Sequence, residues 1–199
     1  MKTWKTLAVT GLLITGSMLG AESAANASVP ASFVPSPADV AKYCNVHGTA
    51  IPYGQPVVSA TTAPEECYNT FADSIRAATG GRVALPTDAK TVTAAQLASV
   101  GPTAATASVV LGTEYQDINF GGGAVNYLGS VGCGSGYFFS FNLSGAWNNA
   151  IGSARSYSNC KSGHFENLNN TGSVRICGCS SMGVMDDQTS SLRFSLSGL

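Results

Sequence analysis

Tyr115-Gln116-Asp117-Ile118-Asn119-Phe120-Gly121-Gly122 and Phe165-Glu166-Asn167-Leu168-Asn169-Asn170-Thr171-Gly172 are two versions of one pattern. Each opens on an aromatic residue followed by an acid or amide, and each closes on a glycine seven residues after that aromatic. A second pair of segments repeats downstream of them, Trp147-Asn148-Asn149-Ala150-Ile151-Gly152-Ser153 and Met185-Asp186-Asp187-Gln188-Thr189-Ser190-Ser191, a hydrophobe followed by two Asn/Asp residues and a closing serine. Repetition of a whole unit says more about architecture than either copy alone.

The surroundings of both copies are β-rich. Val109-Val110-Leu111, Val125-Asn126-Tyr127-Leu128, Tyr137-Phe138-Phe139-Ser140-Phe141 and Ser191-Leu192-Arg193-Phe194 are short aromatic or branched runs separated by Gly, Asn and Ser clusters. Such spacing predicts an antiparallel sandwich, and helix-length periodicity is absent after Ser108.

At these residues, over roughly 108–196, the chain resembles the βγ-crystallin superfamily, whose Greek-key motif carries an aromatic, an acid or amide, a second aromatic and a glycine at this spacing. The first hairpin matches fully. The second departs at Asn170, where an aromatic is expected. The resemblance implies a mostly β fold, a βγ-crystallin-like double Greek-key sandwich at 108–199, with Gly122 and Gly172 in the bend that needs positive φ. In calcium-binding members the later segment reads N/D-N/D-x-x-S/T-S. Asp186 to Ser191 fit throughout, whereas Gly152 stands where the first copy should carry a hydroxyl. The resemblance therefore implies a weak Ca²⁺ site set: side chains of Asn149 and Asp187, main-chain carbonyls of Ala150 and Gln188, the Ser190 hydroxyl, and carbonyl oxygens from Gln116 and Glu166. Ca²⁺ accepts such hard oxygen donors, and mostly neutral ligands place the affinity near the extracellular range of about 10⁻⁴ M. The alternative is that these side chains only tie their loops to the backbone.

Upstream the chain reads differently. Lys2 and Lys5, the apolar run Leu7 to Leu19 and Ala25-Asn26-Ala27 are laid out as a secretory signal, residues 1–27, which predicts a secreted, extracellular protein. Residues 28–107 are expected to form a small helical and linker region. Within it, 28–37 with three prolines is an extended lead-in, Ala38 to Tyr43 a short helical turn, and 51–63 a loop or short strand. Pro64 to Gly81 is the clearest helix, with Cys67, Phe71, Ile75 and Ala78 on one face; Thr93 to Ser99 is a weaker one, and 82–107 reads as linker.

All six cysteines, Cys44, Cys67, Cys133, Cys160, Cys177 and Cys179, follow the leader, so three disulfides are expected in an oxidising compartment. Cys44 is a candidate partner for Cys67. For the rest, hairpin geometry favours Cys160–Cys179 with Cys133–Cys177, the swapped arrangement remaining open.

Catalytic chemistry finds no foothold in the sequence. There is no G-x-S-x-G elbow, Asp186-Asp187 are loop neighbours, the glycine runs lack a following Lys-Ser/Thr, and the two histidines, His47 and His164, are read as surface or packing residues. No catalytic residue is assigned and no enzyme expected. Without its leader the chain keeps 8 basic and 10 acidic residues of the 10 and 11 in the full sequence, so neither nucleic acid nor stable membrane insertion is expected. Secreted bacterial proteins of this resemblance include metalloproteinase inhibitors. The leading expectation is thus a monomeric peptidase inhibitor facing an extracellular protease, with Gly129–Gly136 and the loop around Ser180-Ser181-Met182 as candidate reactive loops. The rivals are a calcium-binding structural or cell-surface protein and, less favoured, a secreted toxin or antimicrobial.

Overall fold

β4 (Val109–Asp117) and β5 (Gly121–Gly129) form the first hairpin, and β8 (Lys161–Asn167) and β9 (Thr171–Ile176) the second. The computed structural model describes residues 43–57, 66–99 and 108–199. Residues 1–42, which include the expected signal, lead-in and short helical turn up to Lys42, lie outside the described residues, as do 58–65 and 100–107. Between the hairpins run β6 (Tyr137–Asn142) and β7 (Ser153–Ser156), and β10 (Ser191–Ser195) follows the second.

Two five-stranded sheets result. β5, β4 and β7 lie together in the first, and β6 crosses to the second beside β10, β8 and β9. The exchange is reciprocal: residues 179–182 of the second unit return to β7, with Ala154 N–H donating to the Cys179 carbonyl (2.9 Å) and Met182 N–H to that of Gly152 (2.8 Å). This is the expected βγ-crystallin-like double Greek-key sandwich. Its core holds Tyr127, Phe141, Trp147, Ile151, Leu192 and Phe194 between the sheets.

The upstream region is woven into the same body instead of standing apart as a linker. β1 (Tyr43–His47) lies parallel along β5. β3 (Glu66–Tyr68) pairs antiparallel with β1, and β2 (Ile51–Pro52) extends the second sheet beside β6. The expected helix is shorter than its apolar face suggested. α1 spans Phe71–Ala78, because Thr70 caps it by accepting from Asp73 N–H while Cys67 is held in β3 by its disulfide to Cys44. α1 lays Phe71 and Ile75 on the outer face of the first sheet, against Tyr115 and Leu128. Residues 82–99, including α2 (Ala94–Ala98), finish that cover with the buried Val83 and Val92. A buried amide network fastens it: Asn126 donates to Asn45 (2.9 Å) and to Ser74 of α1 (3.0 Å), and accepts from Thr113 (2.8 Å).

The remaining disulfides are Cys133–Cys160 and Cys177–Cys179, which replace both arrangements weighed from the sequence. Left-handed Ser158 and Asn159 turn the β7–β8 connection back onto the Cys133 loop, where Cys133 N–H donates to the Ser158 carbonyl (3.0 Å). Cys177 N–H meanwhile bonds to the Ser162 carbonyl (3.0 Å), so Cys177 lies opposite Ser162 and not opposite Cys160.

Candidate functional site

The two copies of the motif superimpose bond for bond. Gln116 accepts from Gly123 N–H (3.2 Å) as Glu166 does from Ser173 N–H (3.3 Å). Ser153 donates to the Asp117 carbonyl as Ser191 does to that of Asn167, both at 2.6 Å. Those serines also receive the Phe120 and Asn170 amides, at 2.9 and 3.0 Å. The bends agree as well: Asn119 and Asn169 are left-handed, and Gly122 and Gly172 have φ of 70° and 82°. Asn170 keeps the left-handed corner of Phe120 but replaces its aromatic contact with Tyr115 by hydrogen bonds to Ser140. The corner is thus set by backbone and serine, and the side chain above it is free to vary.

The same pseudo-twofold brings the two Asn/Asp loops together. Asn149 N–H donates to the Thr189 carbonyl (2.9 Å), and its counterpart Asp187 N–H to that of Ile151 (3.3 Å). Asn149 and Asp187 both take left-handed backbone, φ 58° and 53°, which turns their exposed side chains out at the crossing. The Ser190 hydroxyl donates to Asn149 Oδ1 across it, at 3.2 Å. Tyr115 and Phe165 carbonyls receive the Gly152 and Ser190 amides (2.9 and 2.8 Å), anchoring each loop under its hairpin.

Of the residues named from the sequence, Asn149 and Ser190 are thus in direct contact, and Ala150 and Gln188 lie in the same crossed loops. Gln116 spends its one side-chain oxygen on bracing its hairpin and Glu166 one of its two, so main-chain carbonyls are the donors the two hairpins have in common. Gln116's carbonyl does face the loop, since a Cβ on Gly152 would stand 2.5 Å from it. The donor set fits a divalent cation in part. Two oxygens 3.2 Å apart can each reach one Ca²⁺ at about 2.4 Å, at roughly a right angle. However, the carboxylate and the hydroxyl fall in different halves: Ser190 faces the neutral Asn149, while Asp187 corresponds to the half whose hydroxyl position is Gly152. No cluster of three or more His, Cys, Asp or Glu side chains occurs among the described residues.

A further pair, not singled out in the sequence, joins the two halves between the sheets. Glu114 and His164, each one residue before its hairpin aromatic, meet between the sheets with Nε2 2.8 Å from Oε2, both fully buried. His164 Nδ1 lies 3.2 Å from the Arg175 carbonyl, and Glu114 Oε1 has no hydrogen-bond partner. His164 is therefore an inter-sheet residue, packed rather than exposed. A charged residue inside the strand run Val109 to Tyr115 was the one available signal.

No protein-family model matches this chain, and no curated protein matches it. Among solved structures it is similar to a βγ-crystallin domain from Clostridium beijerinckii (21% identity over 43% of this chain and 98% of that one, TM-score 0.33). A βγ-crystallin domain from Flavobacterium johnsoniae is similar at 23% identity, covering 45% and 98%, with TM-score 0.34. So is the βγ-crystallin domain of Abundant Perithecial Protein from Neurospora crassa in its Ca²⁺-bound form, at 21% identity, covering 48% and 94%, TM-score 0.34.

Proposed function

We infer that this chain is an exported, non-enzymatic βγ-crystallin-like protein whose crossed loops bind Ca²⁺ weakly and use it to tie the two Greek keys together. The observation that carries this is the contact of Ser190 with Asn149, one oxygen from each key at a solvent-exposed crossing. An ion held there links segments far apart in the sequence and adds stability only to the folded chain. At about one hundred times its dissociation constant, Ca²⁺ would contribute roughly 3 kcal/mol. Calorimetric titration and thermal melts with and without about 10 mM Ca²⁺, on the scale of a site near 10⁻⁴ M, test it. Heat of binding with a rise of several degrees is expected; no heat and an unchanged melting temperature would remove the reading.

A second reading, inhibition of an extracellular metalloproteinase, draws on Val184. This residue is 82% exposed at the tip of the turn Gly183–Met185, between the buried Met182 and Met185 and close after the Cys177–Cys179 bridge. An apolar side chain held out on a fixed turn enters a protease cleft with little ordering cost. A panel of metallo-, serine and cysteine proteases is the test. Inhibition lost on Val184→Asp supports it, and none at micromolar protein disposes of it.

A further inference from the structure

Cys177-Gly178-Cys179 lies where β9 ends and the chain turns back toward β7, and the backbone on each side of Gly178 is pinned independently of the disulfide. Cys177 N–H donates to the Ser162 carbonyl (3.0 Å). The Cys179 carbonyl receives Ala154 N–H (2.9 Å), and that of Ser180 receives Asn119 N–H (2.7 Å). The two Cα atoms stand 5.2 Å apart, a separation a disulfide spans, so two thiols held by these bonds remain neighbours once the bridge opens.

The three bridges differ in what they do for the fold. Cys44–Cys67 and Cys133–Cys160 close separations of 23 and 27 residues, Cys177–Cys179 a separation of 2. Loop closure restrains the unfolded chain least for the shortest loop. By linkage, the folded chain holds a bridge shut, relative to the unfolded chain, by the amount that bridge stabilises it, so the fold protects Cys177–Cys179 least. Access distinguishes the bridges as well: Cys133 and Cys160 are both buried, whereas Cys179 is partly exposed between the exposed Gly178 and Ser180. Cys67 is exposed too, but its bridge ties β3, only three residues long, to β1. The Ser181 carbonyl lies 2.9 Å from Cys179 Sγ, placed to accept a proton that only the thiol carries, which favours the open form.

We propose that Cys177–Cys179 is a reversible thiol–disulfide exchange site whose substrate is a low-molecular-weight thiol. The substrate thiolate attacks Cys179, the more exposed of the two; a new S–S bond forms there, the bond to Cys177 breaks, and Cys177 leaves with the electron pair and takes up the proton the substrate lost. A second substrate thiolate attacks the substrate sulfur of this mixed disulfide and releases Cys179, which is protonated in the same way. Two substrate thiols are thereby oxidised to their disulfide, and the bridge is reduced by two electrons to a dithiol. The substrate disulfide closes it again by the reverse path.

The test equilibrates the protein in glutathione buffers of stepped reduced-to-oxidised ratio, followed by acid quenching, alkylation and peptide mass mapping. Cys177 and Cys179 become labelled together at a ratio about tenfold or more less reducing than any that labels the other four cysteines. The melting temperature of that selectively opened species matches the oxidised protein, and oxidised glutathione restores the bridge. Single variants identify the attacked sulfur: Cys177→Ser carries glutathione on Cys179, and Cys179→Ser leaves Cys177 unmodified. Opening of all three bridges over one range of ratios, opening of Cys177–Cys179 last, or a lower melting temperature on its selective opening overturns the proposal. Glutathione on Cys177 of Cys179→Ser overturns the choice of Cys179 as the sulfur attacked.

Discussion

Asn149→Asp should tighten Ca²⁺ binding by one to two orders of magnitude. In the wild type the better-formed half of the crossing, where Ser190 and residue 149 meet at 3.2 Å, lacks a carboxylate. Placing one there puts a full negative charge about 2.4 Å from a dication, worth roughly 3.5 kcal/mol even at the dielectric of water. Partial loss of hydration and the competing Asn149 amide oxygen reduce the net gain to about 1.4–3 kcal/mol, or ten- to a hundredfold. The backbone accepts the change, because Asp187 already holds φ 53° at the equivalent position. Gly152→Ser, which would supply the hydroxyl missing from the other half, should instead lower the melting temperature, since its Cβ would press on the Gln116 carbonyl and the Asp117 carbonyl carbon at 2.5 and 2.8 Å. Calorimetric titration at low ionic strength distinguishes the outcomes. An Asn149→Asp affinity within twofold of the wild type would refute the assignment of residue 149 as a ligand, whatever the wild-type constant.

His164→Ala should destabilise the fold by about 3–5 kcal/mol in denaturant titrations, by leaving the fully buried Glu114 carboxyl without its partner between the sheets, whereas the double replacement Glu114→Leu with His164→Phe should cost far less. Stability should fall above pH 10: burial raises the Tyr157 hydroxyl from 10.0 to about 12, only partly offset by nearby Arg155, so the unfolded chain loses that proton first. Linkage gives about 3 kcal/mol from Tyr157, fully present below pH 10 and lost on rising through pH 12; Tyr157→Phe should make this arm of the pH–stability curve shallower, the neighbouring Tyr115, raised further by burial, carrying the remainder, and an unchanged arm would assign it to other groups. Replacing both Cys44 and Cys67 with serine, across a separation of 23 residues, should cost about 3 kcal/mol and raise hydrogen exchange in β1 and α1 before the β8–β10 ladder.

What was legible in the sequence was what the duplication writes twice. The aromatic-to-glycine spacing fixes a bend that only left-handed residues complete, and Ser153 and Ser191 are needed to hold it, so the hairpins and crossed loops could be read from residue types alone. Interactions that join unlike segments left weaker marks. β1 is five residues long and pairs in parallel with a strand remote from it in sequence, a partnership no local pattern encodes. Thr70-x-x-Asp73 did carry a local cap signal, but Pro64 and the apolar position of Cys67 pointed to an earlier helix start. The cysteine pairing was misjudged because it depends on two left-handed residues, Ser158 and Asn159, that turn one loop onto another.

The outer faces of the duplicated strands explain why the N-terminal region is kept on this body. Val110, Tyr115, Ala124 and Leu128 turn apolar side chains away from the sandwich core, and Asn126 and Thr113 turn amide and hydroxyl groups the same way. A strand pair bare on that side would expose both a hydrophobic face and a row of buried-type polar groups, and α1 with β1 satisfies both at once. The second key has no comparable demand: β9 is polar or half-exposed throughout, and its counterparts of Ala124 and Asn126 are Val174 and Ile176. The two copies of the pattern thus differ at their edges, one covered by β1 and the other without a paired strand among the described residues. It follows that deleting the cover should expose the first sheet and unfold the chain, whereas charging the edge of β9 should leave its fold unchanged.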